Sequence, residues 1–211
     1  MTARLLRIGV LAIVASALGL FLARALFPPR PAIPATEFAT ILPGPRPLPA
    51  LALVGDNAQP LGAAFFRGHW TLVFFGYTHC PDICPTTLAL LAQATRQLAD
   101  LPAAEQPRVL FVSLDPQRDQ PQRVGEYARF FDPRFIGASG TPQAVAAAAA
   151  AFAVPYAKVA LPDGSYTIDH GTGVIVVGPS GGIEAFASGL HDAGALARDY
   201  RKTVRYVERR R

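Results

Sequence analysis

The run "WTLVFFGY", Trp70 to Tyr77, places aromatic and β-branched side chains on both faces of any strand it forms. Such a strand needs both faces covered, which predicts a central place in a sheet sandwiched between helices. The following segments agree. "PTTLALLAQATRQLADL" sets Leu88, Leu91, Ala92, Thr95 and Leu98 at helical spacing, and "RVLFVSL", Arg108 to Leu114, reads as a second buried strand. Helices are expected from about Pro121 to Phe131 and from Pro142 to Phe152, where the alanine run suits a helix better than a disordered tract. Strands alternating with helices predict an α/β sheet with right-handed crossovers. Upstream, a strand or hairpin is expected near Leu51 to Val54 with a turn at Gly55, Asp56 and Asn57. Downstream, "YAKVALPDGSYTIDH" reads as two extended pieces about a Pro162–Gly164 turn, and "GVIVVGPSGGIEAFA" as a hairpin of Gly173 to Val177 with Ile183 to Ala187. A last helix is expected from about Asp192 to Arg205.

A chain of 211 residues accommodates one such domain and a tail. Hydrophobic residues at 51% against 17% charged exclude a disordered polyelectrolyte, although part of that excess sits in one N-terminal run. "IGVLAIVASALGLFLA", Ile8 to Ala23, carries no charge, and Leu5, Leu6, Ala25, Leu26 and Phe27 extend it past Arg7 and Arg24. With those arginines reaching to the interfaces, the segment can cross a bilayer. Residues 1–27 therefore read as a membrane anchor, a cleaved signal sequence being the competing reading. Arg4 and Arg7 place the N-terminus in the cytoplasm and the remainder outside it. Prolines crowd residues 28–48, which read as a stiff spacer, and the globular domain is expected over 49–211. The net charge of +5 gathers at the chain ends without interleaved aromatics, so no nucleic acid is expected as a partner.

The two cysteines, Cys80 and Cys84, follow the first buried strand with three residues between them. Pro85 is suited to the first helical position, which makes Cys84 the N-cap. There the helix dipole favours a thiolate, and a depressed Cys84 pKa is expected. Both sulfurs lie at the carboxyl end of the sheet, where α/β folds place their chemistry. Three readings compete for the pair. A disulfide closing so short a loop stabilises little. A redox dithiol fits the thioredoxin-type strand, loop and helix, which however uses two intervening residues. Two thiolates also suit Cu(I), and zinc is conceivable, but a pair alone leaves either ion short of ligands.

A third ligand has to come from four histidines. His69 lies at the opposite end of the first strand, His79 adjoins Cys80 but should point away, and His191 leads into the last helix. His170, in "TIDHGTG", lies on the rim that a thioredoxin-type sheet would bring beside the cysteine loop. A lone histidine is more often structural, so the residues alone leave the dithiol and the metal site both open.

"FFGYTHCPDICPTTL" is similar to the signature of the Sco/SenC family of copper proteins, membrane-tethered thioredoxin-like domains that help assemble cytochrome c oxidase. "SLDPQRDQPQRVGEYARFF" with "DPRFIGASG", and "YTIDHGTGVIVVGPSGGI", resemble two further blocks of that family. The resemblance implies a thioredoxin-like α/β fold, a central mixed sheet flanked by helices, behind the N-terminal membrane helix. It further implies copper, as Cu(I) or Cu(II), bound by Cys80, Cys84 and His170, with Asp169 supporting the histidine. The function so implied is that of a metallochaperone rather than an enzyme, delivering copper to the copper-receiving subunit of cytochrome c oxidase, with an external thiol reductant keeping the cysteines reduced. The localisation so implied is a bacterial inner membrane with the domain in the periplasm. The alternative is a membrane-tethered thiol-disulfide oxidoreductase that uses Cys80 and Cys84 to reduce the receiving subunit's own cysteines.

Overall fold

The computed structural model describes residues 2–26 and 31–210. Phe27, Pro28, Pro29 and Arg30, where the sequence places the junction of membrane segment and spacer, lie outside the described residues, as does Arg211. In chain order the elements are α1 (Thr2–Leu26), β1 (Ala39–Pro47), β2 (Leu53–Gly55), β3 (Pro60–Leu61), α2 (Ala63–Phe66), β4 (Thr71–Gly76), α3 (Ile83–Gln97) and β5 (Arg108–Ser113). There follow α4 (Pro121–Phe131), β6 (Ile136–Ser139), α5 (Pro142–Ala151), β7 (Tyr156–Ala160), β8 (Tyr166–His170), β9 (Val174–Val177), β10 (Gly182–Ala187) and α6 (Ala193–Arg210).

By length and composition, α1 can cross a membrane between Arg7 and Arg24, a property that a signal sequence shares. The larger unit, Ile33–Glu208, contains an eight-stranded sheet in the order β1-β10-β9-β4-β5-β6-β2-β3. β5 runs parallel to β4 and β6, with α3 and α4 as the crossovers, and the other neighbouring pairs are antiparallel. All of β4 is buried, as a strand apolar on both faces requires, and β4 lies between β9 and β5. On α6, Tyr200 meets Trp70 edge to face at 5.9 Å and donates to the Glu105 carbonyl at 2.6 Å, fastening the last helix to the core.

The spacer expected over 28–48 is corrected. From Ala39 to Pro47 the chain is strand β1, paired with β10 through Ala39↔Ala187, Ile41↔Ala185 and Pro47↔Gly182. Proline lacks an N–H to donate, yet an edge strand needs only one side of its backbone for pairing, and the register shifts between Ile41 and Arg46, across Pro43 and Pro45. Ala39 and Ile41 turn inward and are buried. The entry to this strand is held by Asp199, a fully buried carboxylate that accepts the backbone N–H groups of Glu37, Phe38 and Ala39 at 2.7–3.1 Å. Proline content misleads here because it reports the missing donors and is silent on which edge they face.

The hairpin around Pro162–Gly164 forms, but as a separate two-stranded sheet, β7 with β8. Its turn requires Gly164, whose φ of 82° is open to glycine and strained for other residues. β6, unforeseen, is four residues long and contains a glycine, too short for its period to stand out.

Candidate metal centre

β4 delivers the chain to the carboxyl rim of the sheet, and the cysteine loop begins there. Gly76, its last residue, has no side chain for a physical reason: a Cβ would lie 2.6 Å from the Cys84 sulfur and 2.9 Å from the Phe111 ring. The turn that follows is held from below by Asp119. This fully buried carboxylate accepts the Thr78 N–H at 2.8 Å, the Thr78 hydroxyl at 2.5 Å and the Ser113 hydroxyl at 2.6 Å. The Cys80 N–H donates to the Tyr77 carbonyl at 3.2 Å, closing the loop before α3 begins.

Asp82 occupies the N-cap position of α3, without a side-chain capping hydrogen bond, so Cys84 is the second residue of the helix and not its N-cap. The expected thiolate is corrected with it. Cys84 is fully buried, and burial pushes its thiol up from the ordinary range, outweighing the backbone hydrogen bond with Tyr77 that favours the anion. Removing a sulfur from water disfavours its anion, and a single backbone hydrogen bond does not make up the loss. Cys80 sits at the margin of the surface, 9% exposed, and both thiols are free.

The opposite wall comes from 86 residues further along the chain. His170 closes β8, and its Nε2 lies 3.6 Å from the Cys84 sulfur. Its Nδ1–H donates to the Gly171 carbonyl at 2.9 Å, which leaves Nε2 as the nitrogen with a free lone pair facing the cysteines. Asp169, to which the resemblance assigned support of the histidine, points to solvent on the other face of β8, as adjacent residues of a strand must. The backbone carbonyl takes that part. The Phe74 and Tyr77 rings stand steeply inclined to the imidazole, at 61° and 85°, with centroids 6.4 and 6.0 Å away.

One donor atom from each of Cys80, Cys84 and His170 lies within 4.8 Å of the other two. Two sulfurs and an imidazole nitrogen form a soft donor set that fits copper, and the mixed character accommodates both of its common oxidation states. The remaining histidines stay apart. His79 is exposed, its Nδ1 3.2 Å from the Thr78 hydroxyl and its Nε2 3.3 Å from Arg123. His191 packs edge-on against Phe38, and His69 precedes β4 at the far end of the sheet. Sequence reasoning gave no role to Asp115, Arg118 and Asp119. Their signal was available, since all three follow directly from the carboxyl end of β5, the rim where the cysteines also emerge.

The family model described as SCO1/SenC matches residues 48–205. A putative copper-binding protein of Stutzerimonas stutzeri is 35% identical over 145 residues, 68% of this chain and 70% of that protein. The mitochondrial SCO1 homolog 1 of Arabidopsis thaliana is 33% identical over 154 residues, covering 73% of this chain, which spans about half the length of that relative at 46%. The crystal structure of Arabidopsis thaliana ScoI with copper bound superimposes with a TM-score of 0.69 at 31% identity, covering 75% of this chain and 98% of that one.

Proposed function

Because this chain belongs to the SCO1/SenC family, we propose that it is a copper metallochaperone that binds copper through Cys80, Cys84 and His170 and serves the assembly of the copper centre of cytochrome c oxidase. The convergence of two sulfurs and one nitrogen within 4.8 Å, from segments far apart in sequence, carries the reading. Nothing else among the described residues gathers three such groups so closely.

The chemistry follows from the donor set. Binding displaces protons from Cys80 and Cys84, whose sulfurs must be reduced to act as ligands, so an external thiol reductant is a partner in an oxidising compartment. His170 is already in the tautomer that offers Nε2. With three protein ligands at the rim of the sheet, an incoming protein can exchange its own sulfurs and imidazoles for these one at a time. The copper-receiving subunit of the oxidase is the recipient we infer. We infer that α1, long and apolar enough to cross a membrane, tethers the domain; the positions of Arg4 and Arg7 favour a domain on the non-cytoplasmic side, which in a bacterium is the periplasmic face of the inner membrane.

A thiol-disulfide oxidoreductase would need one sulfur to attack a partner's disulfide. Cys84 is fully buried and Cys80 is 9% exposed, so Cys80 is the accessible sulfur of the pair, and its attack on a disulfide does not require the third donor that His170 brings to the cluster. Titrating the reduced full-length protein with Cu(I) tests the assignment. A stoichiometry near one, lost in Cys80→Ser and Cys84→Ser and weakened in His170→Ala, supports the metallochaperone; absence of binding overturns it, and oxidase assembly that survives His170→Ala supports the reductase.

A further inference from the structure

The hairpin that bears His170 is not part of the main sheet, so something other than strand pairing must hold it in place. Its first strand, β7, is exposed along its whole length, and on β8 only Ile168 is buried. Among the residues that reach it is Arg118, in the loop between β5 and α4, with a side chain 27% exposed. The Arg118 guanidinium lies over the Tyr166 ring, 3.8 Å from its centroid, and donates through Nη1 to the Tyr166 carbonyl at 3.2 Å. Its Nε is paired with Asp115, and the same carboxylate accepts the Tyr166 hydroxyl at 2.9 Å. Arginine, carboxylate and phenol thus close a ring of contacts around one residue, four positions before His170. Lys158 adds a second cation over Tyr166, 3.5 Å from the centroid. Deeper in, the Tyr77 and Thr167 hydroxyls share a hydrogen bond of 2.8 Å, and the Tyr77 ring stands at 85° to the His170 imidazole.

Asp115 is 3% exposed, and the buried Nη2 of Arg118 finds no hydrogen-bond partner among the described residues. The Arg118 side chain is partly exposed, and its guanidinium stands between two aromatic residues, 3.8 Å from the Tyr166 ring centroid on the hairpin and 5.9 Å from that of Tyr77 beside the imidazole. We propose that Arg118, braced by Asp115, is the positioning residue for His170: by gripping Tyr166 it sets the distance of the imidazole from the two sulfurs and so the affinity for copper. The proposal rests on the copper reading of the Cys80, Cys84 and His170 cluster.

The test is a double-mutant cycle on the full-length protein, reduced and in detergent, with Cu(I) affinity measured by competition against a chromophoric Cu(I) chelator. Arg118→Gln should weaken binding by about 10- to 100-fold, as substitutions behind a metal ligand do. In the His170→Ala background the same change should alter affinity by less than about 2-fold, because the clamp acts only through the imidazole. Arg118→Lys, which retains a cation over the ring without the fork, should recover part of the loss. Equal losses with and without His170, or wild-type affinity in Arg118→Gln, overturn the proposal. Should Arg118→Gln fail to fold, Tyr166→Leu removes the ring that Arg118 stacks on and the hydroxyl contact to Asp115, and runs the same cycle, with the same two outcomes overturning the proposal. His170→Ala binding copper as tightly as the wild type would instead remove the copper reading itself, and is distinguishable because it needs no Arg118 variant.

Discussion

The two walls of the metal centre are built to different standards. The cysteine wall stands on β4 and α3, in the middle of the main sheet, with Cys84 fully buried and the loop tied down by the Asp119 carboxylate. The histidine wall stands on a two-stranded sheet of its own, held by one buried isoleucine and a few side-chain contacts. An isolated hairpin is marginal in water, whereas a central strand opens only when the whole domain does. A site with one fixed wall and one lightly docked wall can hold a soft metal through its sulfurs and admit a competing ligand by yielding at the imidazole.

The largest expected effect lies on the fixed wall. Cys84→Ser and Cys80→Ser should each abolish measurable Cu(I) binding in a chelator competition while the domain still unfolds cooperatively; retained tight binding would show that the cysteine wall does not hold the metal. Asp119→Ala leaves the Thr78 N–H and the Thr78 and Ser113 hydroxyls without their acceptor, and should lower stability in urea by about 3 kcal/mol. Gly76→Ala pushes a methyl against the Cys84 sulfur and the Phe111 ring and should cost about 1–3 kcal/mol, together with weakened copper binding. Removing copper from the loaded protein should speed amide hydrogen exchange in β7 and β8 and leave β4 unchanged; equal acceleration in both would erase the distinction between the walls. At the small end, Val159→Thr on the exposed strand of the hairpin should change stability by no more than about 0.5 kcal/mol.

How much of this was legible depends on the range of the interaction concerned. The α4 boundaries, Pro121 and Phe131, agree between sequence and structure, because a proline start and a helical period are local signals. The hairpin turn at Pro162–Gly164 was legible for the same reason. Cys84 was misread in two respects. Its position relative to Pro85 suggested a cap, whereas the helix begins two residues earlier, and the dipole argument ignored a burial that only packing reveals. β1 was hidden by its prolines, and Arg118 and Asp119 lay in a block whose resemblance was clear but whose geometry was not.

From the sequence alone came the alternation of buried strands and amphipathic helices, the placement of both cysteines at the carboxyl end of the first central strand, and the span of α1. Periodicity, turn residues and uninterrupted hydrophobicity are written within a few residues of where they act. The tertiary structure decided what distance in the chain conceals: that His170 turns Nε2 to within 3.6 Å of Cys84, that the Gly171 carbonyl and not Asp169 supports it, and that Asp119 and Arg118 stand behind the two walls. These are contacts between segments tens of residues apart, and they exist only once burial and strand order have brought the segments to the same rim of the sheet.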